Sequence, residues 1–231
     1  MDDLRAWTLA RRISSPCCEI QTVTFSALEL LLLLAAGAQP ATRADTTVQG
    51  VPFDTTLAVA TNARLSVDLG TGGAIRITGG ETKAVRVRVS EQGRHCADCL
   101  VTVTHIGSTV HVRLRRTMQV GAPVDLQVEI EVPIQCSVEL SSVGGPVEIE
   151  GIDGTLSGTT LSGALSLRRI SGAVELQTRR GDVTLRESYV SGALRTLDGR
   201  VLFEDVGGSV VGTSARGRVI LRRVERADSR N

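Results

Sequence analysis

The sequence predicts an all-β fold: a single-stranded β-solenoid of two-faced coils about eighteen residues long, preceded by longer β-strands that cap it. Glycine recurs at Gly145, Gly154, Gly163, Gly172, Gly181, Gly199, Gly208 and Gly217, a nine-residue step with one beat missing. A fixed beat of this kind is the signature of a repeat architecture. Two apolar residues one position apart follow most of these glycines, as in Gly163-Ala-Leu-Ser-Leu and Gly181-Asp-Val-Thr-Leu, which is the alternation of a short strand.

Two kinds of unit alternate, which doubles the period to eighteen. One kind places apolar residues at Val147, Ile149, Ile152; Leu165, Leu167, Ile170; Val201, Phe203, Val206; and Val219, Leu221, Val224. The other carries a hydroxyl column, Thr160, Thr178, Thr196 and Ser214. Each coil then reads strand, glycine corner, strand, glycine corner, because glycine takes positive φ at no steric cost and lets stacked backbones approach closely. One coil cannot close its own core, so neighbours must cover it. The expected inward set is Val147, Ile149, Leu165, Leu167, Val174, Leu176, Val183, Leu185, Val201, Phe203, Val219 and Leu221. Where the beat fails, Val190 stands for glycine with Gly192 nearby, and a two-residue bulge is expected. A ligand site around Tyr189 is the rival reading of that irregularity.

Residues 1–38 read as a signal peptide: Arg5, Arg11 and Arg12 precede an apolar run ending in the small-residue site Ala36-Gly37-Ala38. The run is too short for a stable membrane span. Residues 39–50 are expected to be a flexible mature amino terminus, 51–224 the folded domain, and 225–231 a charged tail that reads as a stop. From Leu65 to Leu140 the strands are longer and lack the glycine beat. Leu126, Val128, Ile130, Val132, Ile134, Cys136, Val138 and Leu140 share one parity. No helical periodicity of useful length competes with them.

Beyond residue 38 the chain has 23 basic and 21 acidic residues, a balance that argues against nucleic acid as the partner. Phe53, Tyr189 and Phe203 are the only aromatics left there, too few for a stacking platform under sugars or bases. Catalysis has little support, since no Gly-x-Ser-x-Gly elbow, phosphate loop or His-Glu-x-x-His motif is present. No catalytic residue, cofactor or resident metal is assigned.

Cys96 and Cys99 form a disulfide candidate in a polar loop of an exported chain. The set Cys96, Cys99, His105 and His111 also has a zinc-like spacing, and free thiols are a third reading. Parity, however, sends His105 and His111 to opposite faces. Cys136 reads as a buried thiol. Along one corner the charge columns run Glu150, Arg168, Arg186, Glu204, Arg222 and Gly151, Arg169, Glu187, Asp205, Arg223. These make either a solvated face of mixed charge or, where Arg168, Arg169 and Arg186 crowd, an anion-binding patch. The hydroxyl column suggests ice binding only remotely, because Arg180, Asp198 and Arg216 flank it.

Ala63-Arg-Leu-Ser-Val-Asp, Gly73-Ala-Ile-Arg-Ile-Thr-Gly, Val128-Glu-Ile-Glu-Val-Pro133 and Ser141-Ser-Val-Gly-Gly-Pro-Val-Glu-Ile-Glu-Gly follow an exported leader. In these the chain resembles the bacterial putative-adhesin, β-strand-repeat domain family, whose biochemical function is unknown. The resemblance covers about residues 50–224 and implies a glycine-punctuated β fold with no catalytic residues to transfer. The resulting expectation is a non-enzymatic module of the cell envelope or surface, binding an envelope polymer or protein. The alternative is a β-helix hydrolase or lyase acting on polysaccharide. A self-assembling filament former is a third reading, because an uncovered last coil offers a strand edge.

Overall fold

A computed structural model of the protein describes backbone and side chains at residues 51–60, 62–91, 98–117 and 125–224, and backbone alone at 44–49 and 225–226. The described residues are all-β, without a helix, and therefore without a helix long and apolar enough to cross a membrane. The predicted leader lies outside them. The strands are β1 (Ala44–Gln49), β2 (Phe53–Ala58), β3 (Ala63–Leu69), β4 (Ala74–Gly80), β5 (Ala84–Glu91), β6 (Cys99–Ile106), β7 (Thr109–Arg116) and β8 (Leu126–Pro133). They continue as β9 (Cys136–Ser142), β10 (Val147–Glu150), β11 (Asp153–Ser162), β12 (Leu165–Arg168), β13 (Ser171–Arg180), β14 (Val183–Asp198), β15 (Val201–Ser214) and β16 (Val219–Arg226).

All sixteen belong to one sheet that wraps almost closed around a single core. Its strands fall into two rows. One row runs β2, β5, β8, β4, β10, β12, then the first halves of β14 and β15, then β16. The other runs β1, β6, β7, β3, β9, β11, β13, then the second halves of β14 and β15. From β9 onward every pair in both rows is parallel at an offset of eighteen residues, as in Leu165↔Val183↔Val201↔Val219 and Val138↔Leu156↔Val174.

This register puts identical pleat positions on top of one another, so apolar residues form inward columns and charged ones outward columns. Val147, Ile149, Leu165, Leu167, Val174, Leu176, Val183, Leu185, Val201 and Phe203 are buried as predicted. Val219 and Leu221 are not: they are 42% and 55% exposed. Their columns reach the end of the row at β16, where no described strand lies across the core to cover them. The predicted bulge at Val190 is likewise absent. Gly172, Val190 and Gly208 stand directly in register. The left-handed residue has moved two positions along, to Gly192 with φ +118°, so nothing is inserted.

Two boundaries also differ from expectation. Residues 44–49, expected to be flexible, form β1 and pair antiparallel with β6, so that β1 becomes the last described strand of that row. Glu225 and Arg226, assigned to the tail, continue β16 opposite Gly207 and Gly208. The rest of the predicted tail lies outside the described residues.

Candidate functional site

The most differentiated surface is the corner between the two rows that carries the charge columns. Gly151, Arg169, Glu187, Asp205 and Arg223 all have positive φ, between 48° and 71°, and follow one another at eighteen-residue steps. A non-glycine residue in this left-handed conformation costs about 1–2 kcal/mol, yet four of the five are charged. The backbone around the turn is satisfied across coils: Gly151 N–H donates to Arg168 O at 3.1 Å, and Arg169 N–H donates to Arg186 O at 3.2 Å. Their side chains project into solvent and reach neighbouring coils.

Arg168, Arg169 and Arg186 do come together on this corner, and three glutamates come with them. Arg168 grips Glu187 in a two-pronged contact, Nε to Oε2 at 3.1 Å and Nη2 to Oε1 at 3.0 Å. Arg169 meets Glu150 at 2.7 Å, and Arg186 meets Glu204 at 3.0 Å. The hydrogen bond from Arg168 holds the Glu187 carboxyl below the usual carboxylate range, and Glu187 in turn raises the Arg168 guanidinium. An anion arriving here would meet arginines already engaged. Further along, Arg223 pairs with Asp205 at 2.9 Å, and across the molecule Asp182–Arg200 and Asp198–Arg216 repeat the pattern at 2.7 and 3.1 Å.

Beside this ladder Tyr189 is 65% exposed, its ring lying over Gly207. A cleft of about 540 Å³ opens there, lined by Tyr189, Asp205, Val206, Gly207, Arg223 and Val224. The nearby Ser188 hydroxyl replaces an apolar column member: it donates to Arg186 O at 2.5 Å and accepts from Ile170 N–H at 3.0 Å. Those two bonds satisfy a polar group that would otherwise be costly to bury.

The threonine column is an internal feature. Thr160, Thr178 and Thr196 are buried in register, and their hydroxyls donate to backbone carbonyls of Ser162, Arg180 and Gly181 at 3.1, 3.2 and 3.0 Å. Ser214 donates to Gly199 O at 2.7 Å. The remote ice-binding reading thus finds no exposed threonine column at Thr160, Thr178 and Thr196. These hydroxyls tie down the corners, and parity alone had not told whether the column looked in or out.

Cys99 is buried and disulfide-bonded. Cys96, its predicted partner, lies outside the described residues. His105 points inward with a buried Nε2 that has no hydrogen-bond partner among the described residues, whereas His111 lines an outer depression with Thr102, Thr104, Ile106 and Arg113. The two imidazoles therefore cannot share a metal ion. Among the described residues no three His, Cys, Asp or Glu side chains converge.

Cys136 is a free, buried thiol, pushed up to about 11 by burial. It should resist alkylation at about pH 8 in native protein and react fully in urea, because the thiolate is the nucleophile. The sign of its pH effect follows from the same shift. The unfolded thiol ionises first, so its contribution is intact below about pH 8.5 and is lost as pH rises through about 11. Peptide mapping after alkylation checks the first expectation, and urea midpoints of Cys136→Ala against wild type across that range check the second.

No protein-family model matches the chain, and no curated protein matches it. Solved structures do resemble it. One is a putative cell adhesion protein from Clostridium sporogenes, with TM-score 0.36 and 11% identity over 74% of this chain and 99% of its own. A putative adhesin from Parabacteroides distasonis has TM-score 0.29 and 10% identity over 77% and 98% of the two chains. A putative adhesin from Parabacteroides merdae has TM-score 0.22 and 7% identity over 76% and 96%.

Proposed function

We propose that this chain is a β-solenoid that serves as a non-enzymatic module of the cell envelope or surface, holding or spacing a partner through its repeated outer columns. The observation that carries this reading is the unbroken eighteen-residue register from β9 to β16. It sets chemically similar side chains at about 4.8 Å intervals along a rigid axis. A surface of that kind binds through area and multivalency, so each contact can be weak while the array holds. Export is supported by the arginine-led apolar run before Ala36-Gly37-Ala38 and by the disulfide-bonded Cys99, which suits an oxidising compartment.

The partner surface we assign is the corner ladder around Arg168, Arg169 and Arg186. Because each arginine already holds a carboxylate, a charged partner there binds by exchanging ion pairs, which salt weakens. Binding of the purified protein to isolated envelope polymers should fall as salt is raised, and should fall further in the triple variant Arg168→Ser, Arg169→Ser, Arg186→Ser. Salt-insensitive binding unchanged by the triple variant would remove this corner from the function. Release of reducing ends from a polysaccharide panel would overturn the non-enzymatic reading itself.

A further inference from the structure

The two ends of the strand rows match each other in strand direction. In the first row, β8 pairs antiparallel with β5 and β5 antiparallel with β2, two reversals that return β2 to the direction of β8, β4 and ultimately β16. In the second row, β7–β6 and β6–β1 are both antiparallel, so β1 runs in the direction of β7, β3 and the second half of β15. Among the described residues β1, β2, β16 and the segment 209–214 of β15 are each paired on one side only. Among the described residues each end thus presents two edges without a partner strand, and the edges agree in sense row for row.

Among the described residues the β16 end also leaves part of the core uncovered. Residues in the Val219 and Leu221 columns are 0–2% exposed in the four preceding coils, at Val147 and Ile149, Leu165 and Leu167, Val183 and Leu185, and Val201 and Phe203. At β16 the same positions are 42% and 55% exposed. Charge differs between the ends. The stretch 216–223 carries Arg216, Arg218, Arg222 and Arg223 without an acid, while β1 and β2 contain Asp45 and Asp54 and no basic residue.

We infer that the β16 end docks onto the β1/β2 end of a second copy of this chain. β16 adds to β2, and the second half of β15 adds to β1, both as parallel pairs. Pleat phase restricts the register, since a one-residue slip exchanges inside and outside. Leu221 laid on Phe53, which is buried, keeps inward residues together and sets Arg222 beside the exposed Asp54. Asp54 already accepts from Arg86 at 2.8 Å and from Arg88 at 3.5 Å, so Arg222 would join an existing outward cluster. Such a contact uses different surfaces on the two copies and does not close on itself, so it generates an open series of head-to-tail oligomers. The inference uses the strand registers alone and does not depend on the envelope partner proposed above.

Sedimentation of the full chain over a range of concentrations tests it, with variants at each end. Wild type should show mass growing with concentration through dimer and beyond. Leu221→Lys spoils one end and Leu57→Lys the other, so each alone should remain monomeric while a mixture of the two gives a one-to-one dimer through the intact ends. Asp54→Arg, an exposed change that opposes Arg222, serves as a second N-terminal-end variant should Leu57→Lys lower the thermal midpoint. A wild type monomeric at every concentration overturns the inference. So does association that survives Leu221→Lys, or an Asp54→Arg protein that dimerises by itself, which would mean pairing of two like ends.

Discussion

Leu185→Asp is expected to abolish the native fold. Leu185 is fully buried, stacked in register between Leu167 of β12 and Phe203 of β15, with Val183 two residues away in the same inward pleat. Aspartate there would place a carboxylate in an apolar column with no partner, so it must either ionise in a low-dielectric interior or take up a proton, and both are costly. Losses in this class exceed about 4 kcal/mol, against a whole-domain stability of roughly 5–15 kcal/mol. Leu221 occupies the same column two coils on but is 55% exposed. Leu221→Asp should therefore cost about 1 kcal/mol or less, as surface changes do. Urea unfolding followed by circular dichroism separates the two. A Leu185→Asp protein with a wild-type midpoint would contradict the inward register, whatever else it did.

That contrast shows what the sequence could and could not reveal. Parity and the eighteen-residue step identify which residues share a column, and a column is a property of strand pleat, so Val147 through Phe203 could be placed inward from letters alone. Position along the stack is different. Val219 repeats Val201 in every local respect, yet it lies on the last described strand of its row, a fact of position that no window around Val219 contains. The threonines posed the same problem in reverse, because hydroxyls at Thr160, Thr178 and Thr196 suit either solvent or a corner carbonyl, and only the turn geometry decides. At the charged corner the column read straight down crowds Arg168 with Arg186. Two of the contacts run diagonally, Arg168 to Glu187 and Arg169 to Glu150, each a nineteen-residue separation, while Arg186 to Glu204 and Arg223 to Asp205 follow their columns at eighteen. The Val190 irregularity misled for a related reason: a left-handed residue can be moved from one position to another within a corner, here to Gly192, without changing the count of residues per coil.

Gly163→Ala is expected to be nearly as damaging as a buried charge, although it adds one methyl group at a corner. Gly163 has φ +116°, and a Cβ built on it would stand 1.9 Å from the carbonyl oxygen of Gly145 in the coil before. The column Gly145, Gly163, Gly181, Gly199 and Gly217 repeats that approach at 1.8–2.1 Å. The obstructing atom is backbone, and the Gly145 backbone is fixed by its own stack, so no flexible side chain can swing away. Relief requires the two coils to separate or slip, which would break the Val147 N–H bond to Ala164 O at 2.9 Å and the Gly151 N–H bond to Arg168 O at 3.1 Å. The combined penalty of strain and lost ladder bonds is on the order of 3 kcal/mol or more. Gly80→Ala provides the control, because Gly80 closes β4 with ordinary φ, and a methyl group added there would meet no atom within 4 Å. It should lie within about 1 kcal/mol of wild type, with the loss of unfolded-state entropy favouring stability. The check is the urea midpoint of both variants together with hydrogen exchange at Val147 and Gly151, whose amides bond across that junction. Gly163→Ala should release those amides early, and equal midpoints for the two variants would mean that coil contact at this corner does not govern the stack.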